Sequence, residues 1–103
     1  MGFTFENLNE RILQRANASS KDSYTAQLLE KGINKCAQKL GEEAVEAAIA
    51  AASGNKKELI GEASDVIYHL LVLLKASNIS LDEVMAELEN RTAQSGLNEK
   101  ASR

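Results

Sequence analysis

Five carboxylates fall in two short motifs, Glu42-Glu43-Ala44-Val45-Glu46 and Glu62-Ala63-Ser64-Asp65, on either side of a turn signal at Ser53-Gly54-Asn55. If the flanking segments are antiparallel helices, residues equidistant from the turn share one level of the hairpin. That pairing sets Glu46 opposite Glu62 and, one turn further from the loop, Glu43 opposite Asp65. Four acids so placed repel one another unless a cation lies among them, so the spacing points to a site for a hard divalent ion held by oxygen ligands. Mg²⁺ is the expected ion, and Mn²⁺ suits the same donors.

Basic groups follow the acids away from the turn. At about 100° per residue, Lys35, Lys39, Glu42, Glu43 and Glu46 fall within an arc of roughly 80–100°, and Glu58, Glu62, Asp65 and His69 within about 60°. The hairpin rule pairs His69 with Lys39. An acidic floor below a basic upper end suits a metal-bound polyphosphate, with Lys35, Lys39 and His69 as candidate substrate contacts. The competing reading is a solvated helix face stitched by ion pairs such as Lys39 with Glu43. Against it, Glu42 with Glu46 and Glu43 with Glu46 are like-charge neighbours that cost a few tenths of a kcal/mol each in an isolated helix. The second motif repeats the crowding at a matching level. A di-iron carboxylate bundle would want Glu-x-x-His on two helices, and the chain has one histidine and no such motif.

The elements that must position these groups are helices. The chain has 103 residues, no proline, two Phe, two Tyr and six Gly, with Ala, Leu, Glu and Lys abundant. That composition favours helix and is poor material for a sandwich, so an all-α bundle of four to five helices is expected. One domain over residues 1–92 and a polar, mobile tail over 93–103 complete the expected organisation. Phe3, Phe5, Leu8, Ile12 and Leu13 mark a first helix. Ser23 or Asp22 caps a second through Leu28 and Leu29 that Gly32 closes. A third helix from about Ile33 to Ala52 has Ile33, Cys36, Ala37, Leu40, Ala44, Ala47, Ala48 and Ala51 as its expected inner face. The fourth, from about Lys57 to Ser77, has Leu59, Ala63, Val66, Ile67, Leu70 and Leu74, and Leu70 to Leu74 is apolar almost all round, which suggests a subunit contact. Ser80-Leu81-Asp82-Glu83 is a capping box for a fifth helix.

A net charge of −3 provides no basic field for nucleic acid. A lone cysteine, Cys36, excludes an internal disulfide and reads as a buried thiol. The N-terminus has no signal-peptide pattern and the longest apolar run is too short for a membrane, so a cytoplasmic protein with no membrane partner is expected.

The acid motifs now described resemble the MazG-type all-α nucleotide pyrophosphatases. Ser23-Tyr24-Thr25, Lys31-Gly32, Lys35-Cys36-Ala37, Lys39-Leu40-Gly41 leading into Glu42, and Asp65-Val66-Ile67-Tyr68-His69-Leu70-Leu71 resemble, within them, the branch that acts on phosphoribosyl-ATP in histidine biosynthesis. The resemblance covers about residues 4 to 90. It implies Glu43, Glu46, Glu62 and Asp65 as Mg²⁺ ligands, Glu42 as an additional ligand or water orienter, and a helical homodimer. The implied reaction is hydrolysis of 1-(5-phosphoribosyl)-ATP to the AMP derivative and pyrophosphate. Some members carry a fused cyclohydrolase domain; this sequence has none, so only the hydrolytic step is expected of it. A house-cleaning (d)NTP pyrophosphatase using the same acids, and a non-catalytic helical interaction module, remain the alternatives.

Overall fold

Short polar side chains start four of the helices, because each supplies an acceptor for a backbone N–H that the first turn leaves unpaired. In the computed structural model, which describes residues 2–93, Thr4 caps α1 (Phe5–Ala16), Ser23 caps α2 (Tyr24–Lys31), Asn55 caps α4 (Lys56–Ala76) and Ser80 caps α5 (Leu81–Thr92). Thr4 with Asn7, and Ser80 with Glu83, complete reciprocal capping boxes. α3 (Ile33–Ala52) differs: its cap is Gly32, at φ 93° and ψ 177°, and no side chain bonds its first turn. One glycine therefore ends α2 and begins α3. Gly54, at φ 75°, makes the turn before Asn55. The chain is all-α, with no strand among the described residues. The polar tail expected over 93–103 lies, beyond residue 93, outside them.

α3 and α4 form the principal pair, an antiparallel hairpin, and α1 and α2 pack across its end away from the turn. The buried cluster comprises Ile12 of α1, Leu28 of α2, Cys36 of α3, Leu71 and Val72 of α4 and Leu81 of α5, with Leu8, Leu29, Tyr68, Leu73, Leu74 and Ala76 packed against it. Cys36 is buried as expected, its thiol donating to the Leu28 carbonyl at 3.5 Å.

Three expectations about faces need correction. Phe3 and Phe5 are exposed, so the inner face of α1 begins only at Leu8. On α3, Ile33, Ala37, Ala44, Ala48 and Ala51 are exposed, while the covered positions are Cys36, Leu40, Glu43, Ala47 and Ala50. The helix is apolar on two sides, and alanine is too small to decide between them; burial of Cys36 under α2 sets the rotation. Glu43 thus lies within the stripe facing α4, not on its flank. On α4, Leu70 is exposed whereas Leu71 and Val72 are buried by the chain's own α1 and α2. The chain itself therefore covers Leu71 and Val72, and Leu70 is the member of the run left exposed. Among the exposed apolar side chains are Val45 and Ile49 on α3 and Ile60 on α4, near the turn of the hairpin.

Candidate metal centre

The hairpin brings the acids together. Glu43 on α3 and Glu62 and Asp65 on α4 each present a carboxylate oxygen within 4.8 Å of the others. Glu46 lies outside this tightest triad, yet its carboxyl is close enough to share a proton with both Glu62 and Glu43. Glu43 and Glu62 are half-buried, Glu46 and Asp65 exposed. Loss of solvent, reinforced by the Glu46, Glu43 and Asp65 charges, pushes the Glu62 carboxyl up to about 7. The Glu43 carboxyl is raised by the same causes, desolvation first, then Glu46 and Asp65, with Lys39 opposing. Clustered carboxylates that resist ionisation together, with only oxygen donors, are the donor set a hard cation requires, so the residues fit Mg²⁺ or Mn²⁺.

Glu42 faces elsewhere. Its carboxylate accepts from Gln38 Nε2 at 2.8 Å and lies 3.4 Å from Lys39 Nζ, and these contacts hold it below the usual carboxylate range, Gln38 contributing most. The ion pair on this face is thus Lys39–Glu42, and not the Lys39–Glu43 pair of the competing surface reading. Lys39 in turn is held above the ordinary lysine value by Glu42 first and by the Tyr24 phenol next, with Glu43 also contributing. Lys35 is half-buried one turn further from the acids.

His69 lies where the hairpin rule puts it, near Lys39, and is only 5% exposed. Burial, then Lys39, depresses its imidazole pKa, against the opposing pull of Asp65 and Glu42. Its Nδ1 is buried and without a hydrogen-bond partner. Around it stand Tyr68, whose ring meets the imidazole edge-on at 5.0 Å, and Tyr24, edge-on at 6.2 Å. The Tyr68 hydroxyl is hydrogen-bonded to Thr25 Oγ1, which ties α4 to α2. No role for this aromatic group follows from spacing, because Tyr24 reaches it from a different helix. The available signal was the resemblance, whose motifs Ser23-Tyr24-Thr25 and Tyr68-His69 contain all three rings.

An all-helical chain with clustered carboxylates across a hairpin and lysines above them is consistent with the MazG-like class of all-α hydrolases. The phosphoribosyl-ATP pyrophosphohydrolase family matches residues 5–92. A phosphoribosyl-ATP pyrophosphatase of Methylobacterium nodulans is 58% identical over 101 residues, covering 98% of this chain and 94% of its own. The namesake of Rhizobium etli is 55% identical over 102 residues, covering 99% and 95%, and that of Erythrobacter litoralis 52% over 100, covering 97% and 96%. The chain belongs to the phosphoribosyl-ATP pyrophosphohydrolase family and is a hydrolase. No described helix is long and apolar enough to cross a membrane.

Proposed function

We propose that this chain hydrolyses 1-(5-phosphoribosyl)-ATP to 1-(5-phosphoribosyl)-AMP and pyrophosphate, the second step of histidine biosynthesis, with Mg²⁺ held by Glu43, Glu62 and Asp65. The observation that carries the reading is the convergence of those three carboxylates within 4.8 Å, in a chain that matches relatives of that name over almost their whole length. A bound Mg²⁺ supplies fixed positive charge that offsets the charge of the departing pyrophosphate and makes water easier to deprotonate. Lys39 and Lys35, above the acids, hold phosphate oxygens beyond the reach of the ion. Glu42 sets the Lys39 ammonium through their 3.4 Å pair. Glu46, outside the triad but touching it, accepts the proton of the attacking water on a carboxylate oxygen. The α–β anhydride breaks, the water oxygen ends on phosphorus, and no covalent enzyme intermediate is needed.

The exposed Val45, Ile49 and Ile60 side chains support a homodimer as the working form, and relatives in amino-acid biosynthesis support a cytoplasmic location. A panel comparing phosphoribosyl-ATP with common NTPs and dNTPs tests the substrate. The phosphoribosyl compound is expected to be preferred; preference for dNTPs would point to a house-cleaning enzyme. Excess chelator is expected to stop turnover, and Glu46→Gln to lower it by roughly 10²–10⁴-fold at unchanged helical content. Wild-type rates in chelator would refute the metal mechanism, and a fully active Glu46→Gln would refute the role of Glu46 as the proton acceptor.

A further inference from the structure

Tyr24 opens α2 and keeps 51% of its surface exposed. Exposed tyrosines at helix starts are ordinarily free to change rotamer, but this one is held. Its ring is stacked on that of Tyr68, with centroids 6.4 Å apart and planes 18° apart, and His69 meets it edge-on. Tyr68 is anchored by Thr25, itself 1% exposed. The half-buried Tyr68 and the buried His69 therefore hold the Tyr24 ring in place while about half of the residue stays exposed.

The ring lies near the basic end of the site, beside His69 and Lys39. Lys39 stands one turn along α3 from Glu43, and His69 one turn along α4 from Asp65. The Tyr24 phenol and the Glu43 carboxylate both act on the Lys39 ammonium, so ring and acids flank the same lysine. A nucleotide with its phosphates at the acids and Lys39 and its base turned toward α2 would meet this ring.

We propose that the exposed part of the Tyr24 ring is the stacking surface for the purine of the nucleotide, making Tyr24 a substrate-contacting residue, with Tyr68 and His69 as positioning residues beside it. The inference rests on the nucleotide reading above and deepens it. A purine substituted at N1 has lost that edge as a hydrogen-bond acceptor but keeps its π-face, so recognition by stacking tolerates the second ribosyl group. A pre-fixed ring also loses little entropy on binding. His69, 5% exposed, meets the Tyr24 ring edge-on and so helps to hold it.

The test uses the full chain with Mg²⁺. Tyr24→Phe keeps the ring and is expected to leave KM for phosphoribosyl-ATP within about threefold, whereas Tyr24→Leu raises KM about tenfold or more with a smaller change in kcat. Inhibition by AMP should weaken in Tyr24→Leu by a similar factor, and inhibition by pyrophosphate should not. A merely structural role would weaken both inhibitors alike. If Tyr24→Leu does not fold, the wild-type protein decides: AMP should shift the Tyr24 ring-proton signals upfield, and pyrophosphate should not. An unchanged KM in Tyr24→Leu, equal loss of both inhibitors, or ring signals indifferent to AMP would overturn the proposal. A wild-type chain that does not hydrolyse phosphoribosyl-ATP, yet shows the AMP-dependent ring shift, would sink the assigned reaction and leave the stacking surface standing.

Discussion

Glu62 has a consequence that can be measured without substrate. Its carboxyl retains a proton up to about 7 in the fold, whereas in the unfolded chain a glutamate titrates near ~4.3. Between those values the folded state binds more protons, so the metal-free fold loses stability as pH rises through the window. Glu43 adds to the same trend. His69 has the opposite sign: its depressed pKa costs stability as pH falls below about 6.5. The difference between wild type and Glu62→Gln removes the His69 contribution. In chelator, that difference is expected to grow in favour of Glu62→Gln from about pH 5 to about pH 7, and Mg²⁺ is expected to raise the melting temperature of wild type more than that of the variant. Equal melting curves at every pH, with equal response to Mg²⁺, would make Glu62 a bystander.

Two helices that meet at one residue depend on that residue's backbone. Gly32 has φ 93° and ψ 177°, a combination essentially confined to glycine. Its N–H donates to the Leu29 carbonyl and its carbonyl accepts from Cys36, so it serves both helices at once. A Cβ there would meet nothing within 4 Å, which leaves backbone strain as the whole cost. Gly32→Ala is therefore expected to destabilise the fold by about 1–3 kcal/mol, lowering the melting temperature by roughly 4–8 °C for each kcal/mol. Because α2 carries Tyr24 and α3 carries Glu43 and Lys39, relaxation of that joint should also raise KM. A variant that melts with wild type would show that the joint adapts without strain.

The molecule as a whole is longer than its length requires. Its radius of gyration is 15.6 Å, with extents of 48 × 34 × 33 Å, against about 13 Å for a close-packed domain of this size. The hairpin projects beyond the core, and Val45, Ile49 and Ile60, the last 70% exposed, lie on the projecting part. Apolar side chains exposed in this way are suited to a contact surface, and a closed two-fold pairing of hairpins is the simplest way to cover them. Light scattering is expected to give a dimer or a multiple of it, and Ile49→Glu to shift the protein toward monomer. A wild-type monomer at micromolar concentration would contradict this. Leu73→Glu, at a position packed against the core, is expected to unfold the chain and not merely to dissociate it.

What could be read from residues in order was local or set by simple periodicity. Ser23, Gly32, Gly54, Asn55 and Ser80 marked helix ends because capping and positive φ depend on neighbours within a turn. The opposition of Glu43 with Asp65 and Glu46 with Glu62 followed from one turn and two helical repeats, which is why the acid cluster was legible before any packing was known. Tertiary structure decided the rest. The rotation of α3 depended on α2 settling over Cys36, since alanine on both sides left the hydrophobic pattern ambiguous. Glu42 leaves the cluster because Gln38 and Lys39 compete for it across one turn. Tyr24, Tyr68 and His69 meet only because α2 folds back onto α4, and contacts between helices that far apart in the chain follow from how apolar faces pair in space, not from spacing along it.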